Sequence, residues 1–590
     1  MKFKIKISLV LLLNFVLPSF LYADIITKEK AQQIAVEFFR SNSILTKASD
    51  LKLVYDGADN VKSSATGSPA LYVYSNTGDK GFVIVAGDDI AYPVLGYSFE
   101  NSFYTDNMPE NLKVWIKGLE NRIIYGRQKG YQRPQTYSTK SPSTGNVVVK
   151  MTTAKWNQHA PYNKYTPIYN SKQCPTGCTI TATAILMYYH KYPEKGEGII
   201  PEYYTKERNI FMPSITLGHS YNWQGMKDSY IPNQYTEEEG ENVARLMIDI
   251  GCSVKADYDS EGTGATLSAA ANSLSTYFNY DKSALTIDRR NYSNSEWHSL
   301  VKSELNENRL VLYCGYDENA SGGHAFILDG YTDENYFSIN WGWGGSCNGY
   351  FILDALIPDE HGTGVYNDNY SFHQACVINL KPDSGGDLIH KMGILGKGFT
   401  KYPTSIDLNT QYELVIDRFQ SVGNTVFIGN IICAHTDKDG NIKEILDEDE
   451  IPESFNLAPG WGWSNYKQKV VFRVPIEKGD RIRMYYKSIY DSDWILIRGG
   501  EDCIWEVILG NLNTIEESTS ISYDKENSRL CLFIEDGIQF RFYNSNNLDI
   551  SHKCVTDNNT VTLDTKNLPS DTYRIKLYRN SEIVEFKIKL

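Results

Sequence analysis

The sequence predicts an α+β chain in two parts, mixed helix and sheet to about residue 382 and mostly β beyond it. Three observations carry that reading. At 590 residues the chain exceeds a single domain of roughly 100–200 residues, so several units are expected. Apolar residues recur at helical spacing in the first part and at strand spacing in the second. The 42 tyrosines favour β structure.

The elements follow in order. A basic start at Lys2, Lys4 and Lys6, an apolar run from Ile7 to about Leu17 and small residues near Ala23 predict a secretory signal peptide over 1–23. That apolar run is shorter than the ~20 residues a spanning helix needs. From 24 to about 140, TKEKAQQIAVEFFRSNS and MPENLKVWIKGLENRIIYGRQKG read as amphipathic helices around the strands ALYVYS and GFVIVAGD. RPQTYSTKSPSTGN then reads as an exposed linker. Residues 150–382 mix helices with apolar strands, and PDSGGD at 382–387 reads as a second linker. Residues 388–510 alternate short strands with turns in the manner of a β-sandwich, and 519–590 form a small terminal β module.

Charge and cysteine content narrow the function. A formal net charge of −14 without a dense basic stretch excludes nucleic acid as an expected partner. Ten cysteines without CxxC or Cys/His spacing give no zinc site, and they are too sparse to be a disulfide scaffold. DYDSEGTG at Asp257 lacks the glutamate that closes a calcium loop, so neither metal nor other cofactor is expected.

The chemistry lies in three segments. In CPTGCTITATAILMYYHKYP, Cys178 opens a small and apolar stretch that Pro193 stops. It is expected at a helix N-terminus, where the dipole and unpaired N–H groups lower a thiol pKa. In GGHAFILDGYTDENYFSINWGWGG, strands either side of TDEN predict a hairpin with His324 beginning one arm and Asn340 ending the other. Their expected register, within a residue or two, would let the Asn340 amide orient the imidazole. Trp341 would shield that pair from water. In KWNQHAPYN, the Gln158 amide is a candidate oxyanion donor beside the Cys178 N–H. Gly177, Gly323, Gly262 and Gly264 are candidate substrate-contacting positions, since glycine lets a peptide backbone approach closely.

These runs, with YNWQGM and LMIDIGCSVKADYDSEGTGA, resemble the streptopain family of bacterial papain-like cysteine peptidases over about 150–382. GFVIVAGDDIAYPVLGYS and NMPENLKVWI resemble that family's inhibitory propeptide. The resemblance implies a papain-like catalytic domain, Cys178 as nucleophile, His324 as its partner, Gln158 in the oxyanion hole, and Asn340 with Trp341 supporting the histidine. It implies a zymogen matured by proteolysis, with protein or peptide substrates and its own propeptide as inhibitor. The terminal NLPSDTYRIKLYRNSEIVEFKIKL is loosely similar to C-terminal sorting domains, which fits a secreted or cell-surface protein exported by a Gram-negative bacterium. Two alternatives remain from the residues: a transglutaminase-like acyl transferase, and a surface adhesin whose peptidase unit is degenerate.

Overall fold

The computed structural model describes residues 25–590 apart from 43, 45–47, 58–67, 78–79, 107, 109, 130–143, 293, 317–322, 354–372, 404–405, 448–453, 500–502, 510–518, 525–527, 535–537, 545–549, 558–559, 567, 580–581 and 590. The expected leader, most of the first linker, most of the acidic run LDEDEIPE and most of the divide near 511–520 lie outside the described residues.

The N-terminal unit comprises helix α1 (Lys28–Ser41), strands β1 (Leu51–Tyr55), β2 (Leu71–Asn76), β3 (Phe82–Ala86) and β4 (Val94–Ser98), and helix α2 (Glu110–Lys129). The Thr27 hydroxyl caps α1 by accepting from the Lys30 N–H at 3.3 Å. One face of α1 then buries Ala31, Ala35, Val36, Phe38 and Phe39. Arg127 at the end of α2 ties helix to sheet: its guanidinium meets Asp88 at 2.8 Å and donates to the carbonyls of Ser68, Pro69 and Gly87.

The following region supplies β5 (Val147–Lys150), α3 (Cys178–His190), α4 (Glu237–Ser253), α5 (Leu267–Tyr277), β6 (Leu285–Asp288), α6 (Asn294–Asn306), β7 (Val311–Tyr316), β8 (Gly323–Thr332), β9 (Phe337–Asn340), β10 (Gly349–Phe351) and β11 (His373–Ile378). A capping box of Thr236 and Glu239 starts α4. The strands do not form a separate sheet. They continue that of the N-terminal unit, in the order β1-β2-β3-β4-β10-β9-β8-β7-β11-β6, with β5 also paired to β8.

The junction is β4 against β10, where Tyr97 lies opposite Tyr350 with rings stacked at 5.3 Å. Gly96 faces Phe351 there, and a Cβ at Gly96 would come within 2.5 Å of that ring. One hydrophobic core runs from Ala31 to Leu380 through both units. Sequence alternation marks strands but not their neighbours, which is why this fusion was not foreseen.

Beyond residue 390 the described elements are strands, apart from one short 3-10 turn at Ser551–Lys553. Met392–Lys401, Gln411–Ser421 and Gly462–Val471 form one sheet, which faces a second built around Phe427–Thr436 and Arg481–Ser488. A separate core that includes Ile394, Leu414, Cys433 and Met484 lies between them. Residues 519–589 enclose a smaller core, with Leu532, Phe542 and Ile575, between sheets of four and three strands.

The second linker is not the loose tether its composition suggests. Asp281, buried at 0% exposure, accepts from the Ser384 N–H (3.1 Å) and hydroxyl (2.6 Å) and from the Gly386 N–H (3.3 Å). It also accepts from the N–H and hydroxyl of Ser283. Burial alone would raise its carboxyl pKa, but the bonds from Ser283 and Ser384 outweigh it and hold the group below the ordinary carboxylate range.

A carboxylate depressed in this way adds stability above the unfolded carboxyl pKa of about 3.9, and that stability is lost as pH falls through the folded value. Asp281→Ala is therefore expected to lower stability at pH 7 by about 2–4 kcal/mol, since several donors lose a charged acceptor. The deficit should shrink below about pH 4. Urea melts at the two pH values check this, together with faster trypsin cutting at Lys381.

Candidate active site

Cys178 is the first residue of α3, a helix whose buried positions run from Thr179 to Tyr188. The preceding Gly177 has φ of +91°, and a Cβ there would stand 2.6 Å from the Thr263 carbonyl oxygen. Only glycine suits both conditions. Thr263 is held by its hydroxyl bond to the Pro175 carbonyl, 2.7 Å. The loop around Gly262 and Gly264 is thus docked onto the backbone entering the nucleophile. Gly262 faces open space, and Gly264 closes the loop by bridging to Asp257.

The sulfur is held from the sheet. The Ala325 N–H donates to Cys178 Sγ at 3.3 Å, so the residue directly after His324 touches the thiol. His324 is half-buried near the start of β8 and pairs with Gly315 on β7, while Gly323 pairs with Tyr316. The start of α3 therefore abuts the start of β8, two segments far apart in sequence.

The expected lowering of the thiol pKa is overturned in this form. Burial pushes the Cys178 thiol above the ordinary cysteine range, although the Ala325 N–H and the Thr179 hydroxyl and N–H oppose that shift. The helix-terminus argument is local. The protein packed around the sulfur comes from distant segments and wins.

Gln158 sits beside the nucleophile through its backbone, its carbonyl accepting the Thr176 N–H at 2.9 Å. The residue is buried, and no bond among the described residues engages its side-chain amide, which leaves donors for an oxyanion.

Asn340 differs from expectation. It lies opposite Ile327, three positions from His324, because the hairpin closes at Thr332 and Tyr336 and β8 bulges between Leu328 and Gly330. Its amide donates to Thr153 Oγ1 and the Ala154 carbonyl, both at 2.9 Å, and its oxygen accepts the Gly342 N–H at 3.1 Å. These bonds run to the segment leading to Gln158 and to the turn just after Asn340.

Trp341 is fully buried. Its ring packs against Phe326 at 4.8 Å, Phe351 at 5.1 Å and Trp115 at 6.1 Å, and its indole N–H donates to the Cys347 carbonyl at 3.1 Å. Trp115 belongs to α2 of the N-terminal unit and also meets Phe326 edge-on at 5.6 Å. Sequence reasoning assigned Trp115 no role; the signal was an indole on the apolar face of a helix, which reads equally well as the unit's own core. His190, at the end of α3, is bonded to the Tyr280 hydroxyl at 2.9 Å, and burial lowers its pKa to about 4. That fits a packing role. Among the described residues no group of His, Cys, Asp or Glu is arranged to hold a metal ion.

The profile of the peptidase C10 family matches residues 156–351, and that of the Spi protease inhibitor family matches residues 23–123. Streptopain of Streptococcus pyogenes is 32% identical over 403 residues, covering 64% of this chain and 98% of that protein. The thiol protease/hemagglutinin PrtT of Porphyromonas gingivalis is 33% identical over 378 residues, covering 62% of this chain but only 43% of PrtT. Among solved structures, a prointerpain A fragment of Prevotella intermedia is 29% identical with a TM-score of 0.45, covering 55% of this chain and 97% of that one. Active interpain A of the same organism is 33% identical with a TM-score of 0.34, covering 40% and 94%.

Proposed function

The chain belongs to the peptidase C10 family of cysteine peptidases and carries an inhibitor-type N-terminal unit, and from that premise we propose a secreted endopeptidase whose nucleophile is Cys178. The observation that carries the assignment is the 3.3 Å bond from the Ala325 N–H to the Cys178 sulfur, which supports reach between the thiol and the adjoining His324.

In the working enzyme the thiolate attacks the scissile carbonyl carbon while His324 stands by as imidazolium. The oxyanion is received by the Gln158 amide and the Cys178 N–H. The imidazolium then gives its proton to the departing amine, leaving an acyl-enzyme, and His324 draws a proton from the water that hydrolyses it. Asn340 and Trp341 act indirectly, Asn340 by pinning the Thr153–Ala154 segment that leads to Gln158, and Trp341 by filling the space behind β8.

The N-terminal unit restrains this chemistry. It packs α2 against the residues behind the histidine strand. Incubating the purified proenzyme with and without a thiol reductant tests the reading. The reduced sample should acquire a new N-terminus between Tyr131 and Lys150 and hydrolyse casein. A cleanly separated and folded 150–590 species without casein hydrolysis would sink it.

A further inference from the structure

A groove of about 800 Å3 separates the peptidase region from the first C-terminal sandwich. One wall is the consecutive run 284–288, which contains β6, and the facing wall is 391–395, the start of strand Met392–Lys401. Consecutive residues line it, where the face of a strand would contribute alternate ones, so the groove runs along strand edges. β6 is the last strand of its sheet, and among the described residues the backbones of Leu285, Thr286 and Ile287 bond only to β11.

The lining also includes small residues, Ser268, Ala271 and Ser275 from α5 and Gly423 from the sandwich.

The walls are held in place. Asn424 of the sandwich donates to the carbonyls of Lys282 (2.7 Å) and Ala284 (2.9 Å), beside the Asp281 clamp. The groove is also connected to the catalytic centre, because α5 begins next to Ala265, whose carbonyl accepts the Thr179 hydroxyl at 2.9 Å one residue beyond Cys178.

We propose that this groove is a second polypeptide-binding site, where an extended segment of a protein substrate adds as a strand to β6 while a more distant part of the same chain occupies the cleft at Cys178. The occupant is a polypeptide because the open edge presents alternating N–H and C=O groups at the spacing that extended main chain matches. The four strand residues Leu285–Asp288, at about 3.3 Å each, give a wall of about 13 Å, room for three or four residues of substrate. The proposal rests on the peptidase reading of the site.

The test uses the matured full chain with Ser275→Trp and, separately, Asn272→Trp, which fill the groove from α5 and leave the catalytic residues alone. For both variants kcat/KM on casein should fall at least about fivefold, as expected when a docking contact is blocked, while kcat/KM on a fluorogenic tetrapeptide stays within about twofold. A casein rate within about twofold of the parent in both folded variants would overturn the proposal, as would equal losses on casein and tetrapeptide. A parent that sediments as a dimer and a variant that does not would give the groove to a second copy and also overturn it. An inactive parent would instead fault the peptidase assignment, so the two failures are separable.

Discussion

Cys178→Ala is expected to abolish casein hydrolysis, by at least about 10⁴-fold, while heat and urea unfolding remain close to those of the parent. The step removed is the covalent one. Gln158 and the Cys178 N–H could still bind a carbonyl oxygen, but no group remains to form the acyl-enzyme. Alanine removes a single heavy atom and the bond it accepts from the Ala325 N–H, a small loss for the fold to absorb. The variant should also persist uncut as the full-length proenzyme under reducing conditions where the parent matures. Parent-level turnover by a verified alanine variant would refute the nucleophile.

The second large effect is expected from Trp115→Ala. Trp115 is 1% exposed and wedged between Phe326 and Trp341, the rings that back the histidine strand. Truncating a buried tryptophan costs about 3–5 kcal/mol, and here the loss falls on the contact between α2 and β8. At about 1.4 kcal/mol per tenfold, the hold of the N-terminal unit on the peptidase should weaken by about 10²-fold or more. Maturation of the proenzyme should accelerate, and iodoacetamide should reach Cys178 in the uncut chain sooner than in the parent. Unchanged maturation and alkylation rates in a folded variant would show that α2 does not restrain the site.

What the sequence disclosed, and what it hid, follows from the range of each interaction. The placement of Cys178 at a helix start and of His324 near a strand start was legible because the signals are local: a glycine before an apolar helix, and a histidine opening an apolar strand. The bonds of Asn340 were not legible, since Thr153 and Ala154 approach from a segment far earlier in the chain. The thiol pKa was misjudged for the same reason; a helix terminus can be read from ten residues, the enclosure of the sulfur cannot. PDSGGD carries every mark of a flexible joint, and the carboxylate that fixes it lies about a hundred residues upstream. The merger of two units into one sheet depends on which edge strands meet, and strand alternation contains no such address.

That merger separates two events usually spoken of as one. Hydrolysis of the segment between the units changes covalent connectivity only; the hydrogen bonds of β4 to β10, the Tyr97–Tyr350 stack and the Trp115 wedge are untouched by the cut. The immediate product should be a nicked complex, with hydrolysis expected only once its two pieces part. Parting is governed by mass action, so a concentrated sample fully cleaved by electrophoresis can remain silent, and simple dilution should awaken it.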